Sequence, residues 1–301
     1  MTILITGATG LIGTQLSSQL IAQGHTVHYL TTRSNKLSNE THYKGFLWNL
    51  KDGSIDDRCF DKVTAIIHLV GATVAKPWTK DYKTAIIESR VQSIALLASK
   101  LKQVPHTVTQ FVSASGVSIY PDSLEGRFDE SSQEIGEGFL AKVVVDWEAA
   151  ADTMSDLGLS VTKVRTGVVF SKQDGALQKI AMPVKHYAGA ALGSGKQWLS
   201  WIHLDDICGV YMHILKNNIT GVVNAVAPEP VTNKNLTKLV GKTLGVPVFL
   251  PNVPEFVLKT ALGERASLVL EGQYVIPKKL SQSGYSFIYP EVAPALRNLL
   301  G

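Results

Sequence analysis

Cysteine, long apolar runs and net charge are all scarce in this sequence, and each scarcity excludes a class of protein. Cys59 and Cys208 are the only cysteines, which excludes a disulfide framework and a thiolate zinc site. No apolar run approaches the ~18 residues of a membrane span, so no membrane partner is expected. The net charge of +4 does not by itself imply binding to nucleic acid or to an anionic membrane.

Several site motifs are missing as well. No cluster of histidine, cysteine and carboxylate residues has the spacing of a metal site, so no metal is expected. The absence of a Gly-x-Ser-x-Gly segment argues against a hydrolase, and no basic stripe with interleaved aromatics indicates a nucleic-acid partner. The opening segment, MTILITGATGLIG, carries no positive charge ahead of its apolar stretch, unlike a signal peptide. With so few cysteines, we expect a reducing, cytoplasmic location.

What is present is the pattern of an ordinary globular α/β protein, 301 residues long, with 45% hydrophobic and 18% charged residues. Continuous apolar runs alternate with helical patterns, which predicts a Rossmann-type, doubly wound parallel sheet. Strands are predicted at Thr2–Thr6, Thr26–Thr31, Gly45–Trp48, Ala65–Val70, Thr109–Ser113, Ser160–Thr166 and Gly221–Ala225. Helices are predicted at Leu11–Ala22, Asp81–Leu101, Phe139–Ser155 and Asp206–Lys216, with Asp205 or Asp206 capping the last of them.

The last third of the chain changes character, with several prolines and shorter helical stretches. We therefore predict two units. Residues 1–170 and 203–226 form the nucleotide-binding domain, and residues 171–202 and 227–301 form a smaller, discontinuous lid over the substrate cleft.

The strongest local signal is the segment TGATGLIG, which follows the first strand and leads into a helix. Gly7 permits a tight turn, Gly10 lets the backbone approach a pyrophosphate, and Gly13 lets the helix pack close to the strand. The free N–H groups of the helix N-terminus then face the anion. The segment predicts dinucleotide binding, with contacts from Gly7, Thr9, Gly10, Leu11, Ile12 and Gly13.

The end of the second strand indicates which dinucleotide is bound. A cofactor without a 2′-phosphate usually meets an acidic residue there, whereas this sequence has Thr32, Arg33, Ser34 and Lys36. Arg33 can form a forked contact with a phosphate, which favours NADP(H) over NAD(H). The alternative is that Arg33 is a solvated loop cation.

Further cofactor contacts are predicted after the third and fourth strands. Asn49 and Leu50 are placed to face the adenine, while Leu69, Val70 and Gly71 offer backbone along the adenosine side. His68 lies within an apolar run and is expected to be a buried, hydrogen-bonded residue.

These residues together resemble the extended short-chain dehydrogenase/reductase superfamily. More narrowly, the chain resembles a branch known as epimerase family proteins. The shared stretches are Trp147-Glu148, the segment GKQW running into SWIHLDD, the segment NAVAP, Leu262-Gly263-Glu264 and Val275-Ile276-Pro277. The resemblance covers the whole chain and implies a Rossmann fold and nicotinamide-cofactor binding. It implies no particular substrate.

The resemblance also implies a Ser–Tyr–Lys site, in which the tyrosine exchanges a proton with the substrate. Ser115 matches the serine, which holds a substrate oxygen, and Lys142 matches the lysine, which binds the nicotinamide ribose. Gly138 stands where the tyrosine belongs, and Arg90 replaces an asparagine of the fourth helix. A positioned acid or base contributes about 10²–10⁴-fold in rate, so its loss matters.

Three accounts of the missing tyrosine stay open: another residue such as Tyr120 supplies the proton, the reaction needs no strong acid, or the protein binds NADP(H) without turnover. The sequence therefore predicts an NADP(H)-dependent oxidoreductase or epimerase-like enzyme acting on an unknown small molecule. The alternative is a non-catalytic NADP(H)-binding regulatory protein. The sequence does not fix the oligomeric state, and a homodimer stays open.

Overall fold

Strands and helices alternate from the first residues onward in the computed structural model, which describes all 301 residues. The strands are β1 (Thr2–Thr6), β2 (Thr26–Thr31), β3 (Asn39–Glu40), β4 (Tyr43–Asn49), β5 (Ser54–Ile55), β6 (Val63–His68), β7 (Gln110–Gly116), β8 (Arg127–Phe128), β9 (Ser160–Thr166), β10 (Val168–Phe170), β11 (Trp198–Leu199), β12 (Trp201–His203), β13 (Gly221–Ala225), β14 (Val231–Thr232) and β15 (Tyr274–Val275). The helices are α1 (Leu11–Ala22), α2 (Lys80–Leu101), α3 (Phe139–Asp152), α4 (Ala176–Lys185), α5 (Leu204–Asn217), α6 (Asn233–Leu244), α7 (Glu255–Leu262), α8 (Ser267–Leu270), α9 (Lys278–Gln282) and α10 (Val292–Leu300).

The central sheet has the strand order β13-β9-β7-β6-β1-β2-β4-β3. All of these strands pair in parallel except β3, which runs antiparallel to β4 at the edge. The chain builds the sheet outward from β1 on one side and then returns to β6 on the other, so the topology reverses between β1 and β6. The predicted doubly wound, Rossmann-type sheet is confirmed, and its reversal point is where such sheets bind ligands.

The sheet is covered on both faces, which explains the continuous apolar runs in β1 and β6. In β1, Ile3 and Ile5 pack with residues of α1 and α5 in one core cluster, while Leu4 packs with residues of α2 in another. All three side chains are completely buried. Because alternate residues point to opposite faces, a strand with helices on both sides must be apolar at every position.

Helix α5 differs from the prediction at its first residue. His203, and neither of the two aspartates, caps the helix by accepting a hydrogen bond at Nδ1 from the Asp205 N–H over 3.0 Å. Asp206 is buried and accepts hydrogen bonds from the N–H groups of Ile288 and Tyr289 instead. The expectation that Asp205 or Asp206 caps this helix is therefore wrong, because the helix begins at Leu204 and both aspartates lie inside its first turn.

Helix α4 and part of the last third of the chain form a helical group beside the sheet. Helices α4, α6 and α10 share a separate apolar core that includes Leu177, Leu236 and Leu296. Not all of this region packs there: Leu280 of α9 lies in the core of the nucleotide-binding side, and the Tyr285 hydroxyl donates to the Asp206 carbonyl oxygen. None of the ten helices combines the length and the apolar character that a membrane crossing would require.

Candidate functional site

The loop between β1 and α1 has the backbone shape that its glycines permit. Gly7 has φ +74°, and a Cβ there would lie 2.9 Å from the carbonyl carbon of Leu69. A Cβ on Gly13 would overlap the carbonyl oxygen of Gly7 and lie 2.6 Å from the Cα of Ala8. Both positions therefore need glycine for the fold itself.

Gly10 differs, because a Cβ there would meet only the carbonyl oxygen of Gly7, at 3.3 Å. The residue is exposed, with φ −85° and ψ 178°, a conformation open to any residue. The fold therefore does not require glycine at this position. The space above Gly10 is where a bound pyrophosphate would need close access to the backbone.

The N-terminus of α1 offers donors without protein acceptors. Gly10 is the N-cap and has no side chain to accept from the first N–H groups, and no acidic residue lies in the first turn. The N–H groups of Leu11, Ile12 and Gly13 are thus left for an external acceptor. Together with the helix dipole, they suit an anionic group, and Thr9 is exposed beside them.

The segment after β2 presents a cluster of exposed polar and basic side chains, comprising Thr32, Arg33, Ser34 and Lys36. The backbone N–H of Arg33 donates to the Thr31 hydroxyl over 3.2 Å, and the Tyr29 hydroxyl donates to the Lys36 carbonyl oxygen over 2.6 Å. These bonds fix the backbone and leave the Arg33 guanidinium without an ion-pair partner. The arrangement suits a phosphate at this edge of the sheet.

The remaining predicted cofactor contacts lie at the same end of the sheet. The Asn49 amide donates to Asp52 over 2.8 Å and its carbonyl oxygen accepts from the Lys51 N–H, so it shapes a turn. Leu50 and Val70 pack on the core cluster around Leu4, and Leu69 lies directly against Gly7. Gly71 follows in an exposed position. None of these positions conflicts with a role in cofactor binding, and that role stays a prediction.

Ser115 lies at the carboxyl end of β7 and is buried. Its hydroxyl donates to Oε1 of Glu148 on α3 over 2.6 Å. The Glu148 carboxylate also receives a forked pair of hydrogen bonds from Nε and Nη2 of Arg165, each 2.8 Å long. Contact with a substrate oxygen, which the resemblance implies for Ser115, stays a prediction, while its position favours a role in holding Glu148.

Tyr120 belongs to the same buried network. Its hydroxyl lies 3.0 Å from the Asp129 carbonyl oxygen and 2.9 Å from Oδ1 of Asn224, and it accepts from Nη1 of Arg165 over 2.9 Å. Burial raises the pKa of Tyr120 despite the opposing charge of Arg165. A buried, fully engaged phenol with a raised pKa is poorly placed to exchange a proton with a ligand, so the geometry favours packing over the catalytic role considered for it.

Lys142 lies on the solvent side of α3 and forms an exposed ion pair with Asp146, one turn further on, at 3.4 Å. At Gly138, the N-cap of this helix, a Cβ would meet nothing within 4 Å. Ser115 and Lys142 thus bond to different partners, Glu148 and Asp146, and the position expected for tyrosine is open space. Contact between Lys142 and a nicotinamide ribose stays a prediction.

Sequence reasoning missed the partners of this network. Arg165 pairs with Glu148. The one available signal was a charged residue beside apolar neighbours, Glu148 between Trp147 and Ala149 and Arg165 after Val164, because buried charges are seldom tolerated without a partner. Nothing in the sequence indicates which acid meets which base across the fold.

The comparisons with known proteins agree with this architecture. The model of the NAD dependent epimerase/dehydratase family matches residues 3–226, and a domain of unknown function, DUF1731, matches residues 253–299. The epimerase family protein SDR39U1 homolog, chloroplastic, of Arabidopsis thaliana is 36% identical over 100% of this chain and 87% of its own length. The epimerase family protein YfhF of Bacillus subtilis is 34% identical over 100% of this chain and 98% of its own length.

Two solved structures also match along the chain. The human epimerase family protein SDR39U1 (isoform 2), crystallised with NADPH, is 30% identical with a TM-score of 0.86 and covers 99% of both chains. A nucleoside-diphosphate sugar epimerase from Corynebacterium glutamicum is 31% identical with a TM-score of 0.78, covering 100% of this chain and 58% of that one.

The loop with Gly7, Gly10 and Gly13 forms a glycine cradle at the reversal point of the sheet. The parallel sheet and this cradle place the molecule among the Rossmann-type α/β proteins. Within that class, the chain belongs to the NAD dependent epimerase/dehydratase family, with a DUF1731 region toward its C-terminus. The family resemblance drawn from the sequence motifs is thereby confirmed.

Proposed function

We propose that this protein binds NADP(H) across the carboxyl ends of β1, β2 and β6. The observation that carries the proposal is the pairing of an uncapped helix N-terminus at Gly10 with an exposed, unpaired Arg33 at the end of β2. The first suits a pyrophosphate and the second a 2′-phosphate. The NADPH in the human relative's crystal structure supports the same choice.

We further propose an oxidoreductase or epimerase-like reaction on a small molecule. The bound nicotinamide would supply hydride chemistry, and this chain's residues would bind and orient the two reactants. The family membership supports this proposal, as does the nucleoside-diphosphate sugar epimerase name of one structural relative. Proton transfer would proceed without the Ser–Tyr–Lys relay, because Gly138 carries no side chain and the Ser115 hydroxyl is bound to Glu148.

A second candidate function is that of a non-catalytic NADP(H)-binding regulator. The missing tyrosine of the Ser–Tyr–Lys relay favours it. Cofactor binding needs the glycine cradle and the basic segment, neither of which involves Gly138, Ser115 or Tyr120. A screen of carbonyl compounds and nucleotide sugars, followed by NADPH absorbance and product analysis, separates the two functions. Turnover of any substrate supports the enzyme, whereas tight NADPH binding with no turnover across the screen supports the regulator.

The choice of cofactor is tested by Arg33→Ala. One hydrogen bond to a charged group contributes about 1.5–3 kcal/mol, so NADPH affinity should fall about ten- to hundredfold. NADH affinity should change little, because NADH has no 2′-phosphate. Arg58→Ala is the matched control, since Arg58 is exposed and paired with Asp56 outside the cradle. Equal loss of NADPH and NADH affinity would show that Arg33 does not read the phosphate.

A further inference from the structure

Arg90 on α2 is a half-buried cation with no anionic partner. It takes part in none of the ion pairs of the structure. Its guanidinium lies 4.7 Å from the ring centre of Trp147, and its Nη1 donates to the carbonyl oxygens of Ala72 and Ile86. Desolvation lowers the pKa of Arg90 to about 10. A cation held away from water without a counter-charge is costly, so its presence calls for a compensating function.

One edge of the Arg90 guanidinium is unused. Nε is buried and has no acceptor, while Nη2 makes no hydrogen bond and still reaches solvent. Nε and Nη2 form the edge that grips a carboxylate with two parallel bonds. Arg165 shows this use within the same molecule, since its Nε and Nη2 hold the two oxygens of Glu148. Arg90 thus leaves free the same guanidinium edge that Arg165 uses to bind Glu148.

The surroundings hold the Arg90 guanidinium in place. A Cβ on Gly71 would lie 2.8 Å from Cζ, 3.0 Å from Nη2 and 3.1 Å from Nη1, so it would sit over the face of the guanidinium plane. Glycine at this position lets the loop close over the cation. The indole Nε1 of Trp147, which is 8% exposed, is a second buried donor without an acceptor. The two side chains are in contact, and a donor without an acceptor on each of them points to a missing acceptor.

The position of Arg90 relates this unused edge to the cofactor site. Gly71 follows Leu69 by two residues, and Leu69 packs directly on Gly7 of the glycine loop. Gly71 and Ala72, which lie against the guanidinium on this side, belong to a stretch, residues 69–79, that forms no helix or strand. A small displacement of this segment would expose Nε beside Nη2 to a group entering from the cleft.

We propose that the Nε/Nη2 edge of Arg90 binds an oxyanion, a carboxylate or a phosphate, of the ligand that occupies the cleft. The proposal rests on NADP(H) binding at the glycine loop, which defines that cleft. The oxyanion belongs either to the substrate or to the cofactor itself, and its planar, bidentate recognition is the same in both cases. The predicted substrate class is therefore an acidic small molecule unless the cofactor fills this edge.

The test follows the arginine Nε–H signals of ¹⁵N-labelled protein by NMR. NADP⁺ is titrated first, and oxalate or inorganic phosphate is then added to the NADP⁺-saturated protein. A shift of the Arg90 signal with NADP⁺ alone assigns the edge to a cofactor phosphate, and a shift only with oxalate or phosphate assigns it to the substrate. Both results support the proposal. An Arg90 signal that moves in neither titration overturns it.

Substitutions of Arg90 test whether its fork binds the oxyanion. Arg90→Gln should weaken the oxyanion response about ten- to hundredfold, and Arg90→Lys should recover only part of it, because lysine keeps the charge and loses the fork. Arg127→Gln is the matched control, since Arg127 also lies 4.7 Å from an aromatic ring, that of Tyr274, and is exposed. Equal weakening in Arg127→Gln would mean general charge screening and would overturn the proposal.

The outcome stays separable from the proposed function. If the wild-type protein binds no NADP⁺, the cofactor proposal fails, and titration of the free protein with oxalate still reports on Arg90. If NADP⁺ binds and no oxyanion reaches Arg90 in either titration, only the inference about Arg90 fails. Should Arg90→Gln not fold, the wild-type titration decides by itself.

Discussion

Replacement of Ser115 by alanine should destabilise the fold and leave NADPH affinity unchanged. The Ser115 hydroxyl has one acceptor, the Glu148 carboxylate, at 2.6 Å, and both residues are buried. The substitution removes this bond and leaves the two bonds from Arg165 to Glu148 in place. No part of the predicted cofactor cradle touches the lost hydroxyl.

The magnitude follows from the chemistry of the network. A hydrogen bond to a charged group contributes about 1.5–3 kcal/mol, and we expect Ser115→Ala to lower the free energy of unfolding by this amount. Glu148→Gln should cost more, about 3–5 kcal/mol, because Arg165 would remain buried without its anion. Since the two residues are in contact, the double variant should cost less than the sum of the single ones.

Urea denaturation measures these free energies, and titration of the same proteins with NADPH measures the affinity. A Ser115→Ala protein that kept wild-type stability and bound NADPH much more weakly, or lost a turnover that the wild type shows, would contradict this prediction. In that case the hydroxyl would face the ligand, as the family resemblance implies. Glu148→Gln with wild-type stability would likewise show that the buried ion pair contributes little.

Further predictions concern the glycine cradle and the pH dependence of stability. Gly10→Ala should keep the melting temperature and abolish NADPH binding, because its Cβ meets little in the fold but fills the pyrophosphate space. Gly13→Ala should lower the free energy of unfolding by roughly 1–3 kcal/mol, the usual cost of overpacking, because its Cβ would overlap backbone atoms. Gly138→Ala is the control, since a Cβ there meets open space. Equal melting temperatures of the two variants would contradict this prediction. Burial, assisted by the charge of Arg90, lowers the pKa of His68 from 6.5 to about 3. Below pH 6.5, His68 is protonated in the unfolded state but stays neutral in the folded state down to about pH 3. The contribution of His68 to the free energy of unfolding is therefore intact above pH 6.5 and falls by about 1.4 kcal/mol per pH unit toward pH 3. In urea denaturation between pH 6.5 and pH 3, the free energy of unfolding of His68→Gln should depend less steeply on pH than that of the wild type. The same pH dependence in both proteins would contradict the prediction.

Much of the fold and the tight glycine loop after β1 could be predicted from the sequence because they depend on local patterns. The bounds predicted for β1, α1, β2, β9 and β13 match the structure. The pattern that marks each of these elements lies in consecutive residues and can be recognised without knowledge of the fold. The glycine cradle is local too, because its three glycines act within eight residues on the turn that contains them.

The buried network of Ser115, Glu148 and Arg165 could not be predicted in this way, because its members meet from three separate elements. The cap of α5 was missed because the helix begins at Leu204, which places both aspartates inside its first turn and His203 at the N-cap.

The parallel sheet, the glycine turn and the absence of an acid after β2 are properties of neighbouring residues, so they can be identified along the chain before it folds. Which buried charges are paired depends instead on the completed fold. It gave Arg165 a carboxylate and left Arg90 without one, since the partner of a buried charge is chosen by whichever elements the completed fold brings together.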